Sequence, residues 1–373
     1  MYLVHRKLKW QSFIRNRGCI FLNLIIILLF NCNKLPLGED ELEVRGGFAT
    51  DTLRLEIFVS STEFKNIPVG TSQNLVLGKN DIYESRILLK FNFPDTTYSG
   101  LDEIKLTLYR NTLFRFDTIS IGIYLLNSDF TEGEATWYEK SNTEPWQNPG
   151  GDFEIDSLRF CKVNGDSLIV WFNYIDLSKI MNSKGLILIP HSDGFCFFHS
   201  REGGKAPTFK VVKNGVVNGI PLGSDCHIIK ADTTPNYWED WLGSGVVYRN
   251  YVKFNYDTTL DSSKAIFGEL TFDLEHYFSY RDSVEIGVKY LIKPFTGFDS
   301  ELGPQIALKK FSLKDSTFSL DIVRYIQRII DHPDSNFGFF IYLSPENYDI
   351  TNIKLIKGSH NLKVGFIRPP QER

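Results

Sequence analysis

Two tryptophans in one turn-rich stretch, Trp137 and Trp146, are the first residues whose type could do chemistry. An indole face can stack on a sugar ring; the alternative is that the pair staples a long loop onto a sheet. A second aromatic group, Tyr237-Trp238-Glu239-Asp240-Trp241, puts two tryptophans and two acids into one short stretch. An exposed tryptophan marks a contact surface, so Trp238 and Trp241 are candidates for a sugar or protein contact, with packing between domains as the larger alternative. Arg201 and Glu202, in Ser200-Arg201-Glu202, could grip an acidic sugar, because guanidinium pairs well with carboxylate. An internal salt bridge closing the end of a strand would use the same residues, and His199 and Lys205 add positive charge nearby. The run from His191 to His199 contains metal-ligand types, but its spacing fits no zinc pattern; in it Phe195 and Phe197 are expected to face one way and Cys196 and Phe198 the other. No metal and no cofactor is expected.

No catalytic signature is present: no Gly-x-Ser-x-Gly, no His-Glu-x-x-His and no phosphate-binding glycine loop. A glycosidase pair could be drawn from the 45 acidic residues, but so many carboxylates always bring some together. The expectation is a binding or structural protein and not an enzyme. The net charge of −4 gives no electrostatic reason for nucleic acid.

The elements that must position these residues read as strands. Phe, Trp and Tyr make up 14% of the chain, a bias that suits pleated surfaces. Beyond Thr50 the pattern is short alternating runs bounded by turn residues, as in Ile104-Lys105-Leu106-Thr107-Leu108-Tyr109. The same order of runs occurs twice. The run containing Lys90 matches one containing Lys253, 163 positions later; Leu106 matches Leu270, 164 later, and Gly122 matches Gly287, 165 later. Later matches, such as Asp176 with Asp321 and Lys210 with Lys363, have shorter offsets, so the second copy has lost about fifteen to twenty residues between its middle and its end. A brief helix is expected near 176–181, and a clearer one over 321–331, where Ile322, Tyr325, Ile326 and Ile329 form a stripe ended by Pro333.

The N-terminal segment reads as an export signal. Residues 1–17 carry His5, Arg6, Lys7, Lys9, Arg15 and Arg17 and no acid, and an apolar run follows from Cys19 to Phe30. That run is too short for the ~20 residues of a spanning helix and fits a secretory signal. Leu29-Phe30-Asn31-Cys32 resembles a bacterial lipobox, in which Cys32 would be lipidated; Asn31 departs from the small residue usual there. Of the five cysteines, Cys161, Cys196 and Cys226 remain in the exported part, and buried free thiols are favoured over a Cys161–Cys196 bridge.

The expected organisation is a signal over 1–31, a polar tether over 32–47, a β-sandwich over 48–214, a linker over 215–224 and a divergent second sandwich over 225–370. The fold class is all-β, two tandem jelly-roll-like sandwiches with a short helix in the second. Several segments of the first copy together resemble the DNRLRE domain: Ser85-Arg86 with Leu88-Leu89-Lys90-Phe91 and Phe93, the Ile104–Tyr109 run, Thr136-Trp137 with Pro145-Trp146, Tyr174-Ile175-Asp176-Leu177, Gly185-Leu186-Ile187-Leu188, and His199-Ser200-Arg201-Glu202 with Ala206-Pro207-Thr208-Phe209-Lys210-Val211. This resemblance implies a jelly-roll-like sandwich of bacterial and archaeal surface proteins, some of which bind acidic polysaccharides. It also favours a structural role for Trp137 and Trp146, which sit in the recurrent motif itself. The expected partners are polysaccharide or an envelope protein, with a membrane reached through the lipid anchor.

Overall fold

A computed structural model describes residues 49–94, 98–231 and 239–368. The expected signal, the tether, Cys32 and Trp238 lie outside the described residues. Among the described residues no helix is long and apolar enough to cross a membrane.

The chain forms two antiparallel β-sandwiches. In the first, the larger sheet runs Gly194–His199, Asn74–Lys79, Tyr83–Phe91, Leu186–Pro190, Ile119–Leu125, Arg159–Val163, and Leu222–Ala231 pairs along Tyr83–Phe91. The smaller sheet runs Ser167–Trp171, Glu103–Tyr109, Thr208–Lys213, Val216–Ile220. The alternation legible in the sequence builds the core. Ile104, Leu106, Leu108, Leu168, Val170, Phe209 and Val211 point inward from the smaller sheet, against Leu77, Ile87, Leu89, Ile121, Ile123 and Leu188.

The second sandwich repeats this order strand for strand. Its larger sheet runs Thr351–Leu355, Asp240–Ser244, Val246–Phe254, Phe339–Ser344, Ser283–Leu291, Leu302–Ser312. Its smaller side joins Thr317–Asp321, Lys264–Ser279, Asn361–Arg368 and Ala49–Leu55. The long strand Lys264–Ser279 also pairs with Thr351–Leu355, so the two sides are continuous there. Each copy carries one helix, α1 (Tyr174–Asn182) and α2 (Val323–Asp331). Asn173 caps α1 in a reciprocal bond pair with Asp176. The expected stripe of α2 is buried at Tyr325, Ile326 and Ile329.

The pairing departs from the expected boundaries in one respect. Ile57–Asn66 lies along Val246–Phe254, and Ala49–Leu55 along Asn361–Arg368, so the first two strands of the chain complete the second sandwich. The corresponding places in the first sandwich are taken by Leu222–Ala231 and Val216–Ile220, the first two strands of the second copy. The copies have exchanged their leading strand pairs. Residues 215–224, expected as a linker, are therefore a hairpin arm: Asn214 and Gly215 turn the chain with φ of 50° and 75°, the positive pair that a tight hairpin turn requires.

The sandwiches also pack directly. Phe195 and Phe197 point away from the first core, as the alternation predicted, and join Val76, Phe114, Tyr248 and Ile350 in a cluster shared by both halves. Phe114 stacks on Phe197 at 4.4 Å, Asn74 Nδ2 donates to the Tyr348 carbonyl at 2.8 Å, and Arg115 donates to the Ser279 carbonyl at 2.7 Å.

His360 lies buried beside Asp240 in the second sandwich. Burial holds its imidazole below the ordinary range, and Asp240 offsets this only in part. An imidazole kept neutral in the folded state but free to protonate when unfolded contributes stability above about pH 6.5, lost as pH falls below that. The stability difference between the wild-type chain and His360→Gln should therefore shrink between pH 7 and pH 5 in urea unfolding. A difference that stays constant over that range would rule this out.

Candidate functional site

The outward face of the first sandwich's smaller sheet is set by the same alternation that builds its core. In Ser167–Trp171, Leu168 and Val170 point inward, so Ile169 and Trp171 point out, 48% and 54% exposed. Trp171 is the most exposed tryptophan among the described residues. Register places Trp171 opposite Lys105, Lys105 opposite Lys210, and Lys210 opposite Gly219. With neighbouring strands ~4.8 Å apart, this row crosses the whole sheet. Lys105 Nζ lies 5.1 Å from the Trp171 ring centroid and 2.5 Å from Glu103. Gly219 leaves open space beside Lys210. The next row is Ile169, Thr107 and Thr208, and the Tyr109 hydroxyl lies 3.5 Å from that of Thr208. Arg159 fixes the end of the Trp171 strand, donating to the Trp171 carbonyl at 3.1 Å and pairing with Asp176 of α1.

The second copy supplies an internal comparison. Register equates Trp171 with Asp321, correcting the match of Asp176 with Asp321 made from the sequence, since Asp176 lies in α1 and Asp321 in a strand before α2; it equates Ile169 with Ser319, Lys105 with Glu269 and Thr208 with Asn361. The equivalent face is thus an ordinary solvated surface, so the sandwich itself does not need an aromatic or aliphatic side chain there. Trp171 was legible as an outward residue from the alternation of Ser167-Leu168-Ile169-Val170-Trp171, but it carries no motif that singles it out.

The tryptophans singled out by motif have another place. Trp137 and Trp146 are each 4% exposed, packed with Leu88, Ile187 and Ile228 on the outer side of the larger sheet. They offer no face to a ligand, and their rings are packed against the outer side of that sheet. Trp146 Nε1 donates to the Thr136 carbonyl at 2.9 Å, and the Arg86 guanidinium sits 4.5 Å from the Trp137 ring. The second copy keeps this device with a shorter loop: Arg249, the counterpart of Arg86, sits 4.0 Å from Phe298. The residues lost from the second copy come from this loop.

Trp241 is half-buried, with its indole N–H on Glu239 at 3.1 Å and its ring beside His276 and Lys354, and it packs against the aromatic cluster shared by the two sandwiches. Arg201 pairs with Glu132 at 2.6 Å and reaches Glu202 at 3.4 Å, the internal bridge weighed from the sequence, but with a third carboxylate, Asp225, on its backbone N–H. His191 accepts or donates at the Tyr124 hydroxyl, 2.9 Å away. Cys161, Cys196 and Cys226 are free thiols; burial pushes Cys161 up to about 11 and Cys196 up to about 12.

A concavity of about 630 Å³ lies where the sandwiches meet, lined by Arg110, Arg115, Phe116, Asp117, Phe278 and Tyr280 among others. It holds one carboxylate, Asp117, which accepts a hydrogen bond from the Tyr280 hydroxyl.

No model of a known protein family matches the chain, and no curated protein does. A solved structure to which it has a slight likeness is the N-terminal CBM22-1–CBM22-2 tandem domain of Xyn10C from Paenibacillus barcinonensis. That likeness is 8% identical, covers 87% of this chain and 92% of that one, and has a TM-score of 0.14, too low to say anything about a ligand.

Proposed function

We propose that this is a non-catalytic polysaccharide-binding protein of the cell exterior, anchored through Cys32, with Trp171 as its stacking platform. The observation that carries the reading is the row of Trp171, Lys105 and Lys210 on an open sheet face whose counterpart in the second copy is Asp321, Glu269 and Lys363. A flat indole suits the apolar face of a sugar ring, and the Lys210 ammonium in the same row, beside a Lys105 that is paired with Glu103, suits a carboxylated sugar. The DNRLRE resemblance points the same way.

Affinity electrophoresis in gels containing acidic or neutral polysaccharides tests this. The wild-type chain should be retarded by an acidic glycan, less so at high salt. Trp171→Ala should weaken retardation about ten-fold, equivalent to ~1.4 kcal/mol, with the melting temperature unchanged. No retardation by any glycan, or equal retardation of Trp171→Ala, would sink the proposal.

A second reading, contact with another envelope protein, is favoured by Ile155 and Phe160, 92% and 66% exposed on the first sandwich. Cross-linking on whole cells should then give discrete partner bands that Phe160→Ser removes.

A further inference from the structure

Away from the Trp171 face, three carboxylates converge from distant parts of the first copy. Glu132 comes from the long loop that carries Trp137 and Trp146, Glu202 from the turn after Gly194–His199, and Asp225 from Leu222–Ala231. One oxygen from each lies within 4.8 Å of the others.

The contacts inside the group leave a specific deficit. Asp225 Oδ2 accepts the Arg201 backbone N–H at 3.0 Å, and Glu132 Oε1 accepts the Asp225 backbone N–H at 3.2 Å. The Arg201 side chain donates to Glu132 Oε2 at 2.6 Å, to the Gly223 carbonyl at 2.9 Å and to Glu202 Oε1 at 3.4 Å. One guanidinium thus faces three carboxylates. Asp225 has no solvent exposure, and its Oδ1 has no hydrogen-bond partner. A buried carboxylate oxygen without a donor is costly, and it is the buried member of the trio that is short of one.

The donors are all oxygen. Calcium binds oxygen at ~2.3–2.6 Å in flexible geometry, so its ligand oxygens stand no more than about 5 Å apart, a limit the three carboxylates meet. Magnesium demands a tighter octahedron, and zinc favours nitrogen and sulfur.

We propose that Glu132, Glu202 and Asp225 bind a calcium ion, which fastens the tryptophan-bearing loop to the exchanged strand Leu222–Ala231. The ion would take the free Asp225 oxygen together with one oxygen from each glutamate, leaving Arg201 on the rest. The site would exist in the first copy alone, because register sets Ser60 where the first copy has Asp225.

Isothermal titration and thermal unfolding of the purified chain, stripped with chelator and then given calcium chloride, test the proposal. Expected are one calcium site per chain, a rise in melting temperature of several degrees as the site fills, and a weaker response to magnesium chloride. Glu202→Gln, at the exposed member, should weaken calcium binding at least ten-fold without loss of fold. Asp225→Asn should do the same and should not lower the melting temperature of the calcium-free protein. No heat and no melting shift at millimolar calcium would overturn the site. So would a Glu202→Gln chain that binds calcium as tightly as the wild type.

Discussion

A chain lacking residues 49–66 should lose the folded second sandwich while keeping the first. Deletion removes seven paired positions along Asn361–Arg368 and nine along Val246–Phe254. It withdraws Leu55 from the second core, and it strips partners from groups that stay buried. The Ser60 hydroxyl donates to Asp240 at 2.7 Å, Thr62 accepts the Trp241 backbone N–H at 2.9 Å, and the Ser61 carbonyl accepts from Asn250 at 3.3 Å. Asp240 and Asn250 are almost wholly inaccessible. Each buried polar group left unpaired costs about 1–3 kcal/mol, and the apolar loss adds to that, so the total approaches the ~5–15 kcal/mol that holds an ordinary domain together. Denaturant unfolding should show one transition with a smaller slope against denaturant, because less surface is then exposed on unfolding. A synthetic peptide of residues 49–66 should restore the missing transition. If the deletion leaves the unfolding curve of the full chain unaltered, the strand exchange is wrong.

Trp137→Ala should destabilise the first sandwich by ~3–5 kcal/mol, the usual cost of emptying a large buried aromatic site. The indole covers Leu88, Ile187 and Ile228, and it is held in turn by Arg86 at 4.5 Å and Lys230 at 5.4 Å from its ring. Arg86 also donates to the Gly150 carbonyl at 2.8 Å, and the Gly150 N–H donates to the Trp137 carbonyl at 2.7 Å. Ring, guanidinium and loop backbone therefore form one closed arrangement, and removing the ring loosens all three. Trp171→Ala should leave stability within about 0.5 kcal/mol, as expected for a surface change. The pair makes a clean contrast: one tryptophan for stability, the other for binding. A Trp137→Ala chain as stable as wild type in urea would show that the loop does not depend on its indole.

How much of this could be read from the chain depends on whether the cause is local. The all-β class, the inward residues of Glu103–Tyr109 and Ser167–Trp171, and the stripe of α2 follow from side-chain periods of two and 3.6. Those periods are written into consecutive residues. The order of segments in the two copies was legible for the same reason. The Asn214-Gly215 turn carried a hairpin signal, yet the glycine-rich stretch around it also fits a linker, and only the pairing of Val216–Ile220 with Thr208–Lys213 distinguishes the two.

The candidate sites were less legible. Trp137 and Trp171 are the same residue type, and their burial differs because a loop folds over one sheet face while the other stays open. Arg201 and Glu202 could be singled out as a charged pair, but Glu132 and Asp225 stand 69 and 24 positions from Arg201, and nothing in their local sequence joins them. The sequence by itself determined which residues form strands, which way each side chain alternates, and that the pattern occurs twice. Only the tertiary structure decided that each copy completes the other, that Trp137 and Trp146 are covered while Trp171 is open, and that three carboxylates meet around Arg201. A strand's alternation is a property of its own backbone, whereas its partner is chosen by whichever distant edge buries its apolar face and satisfies its amides.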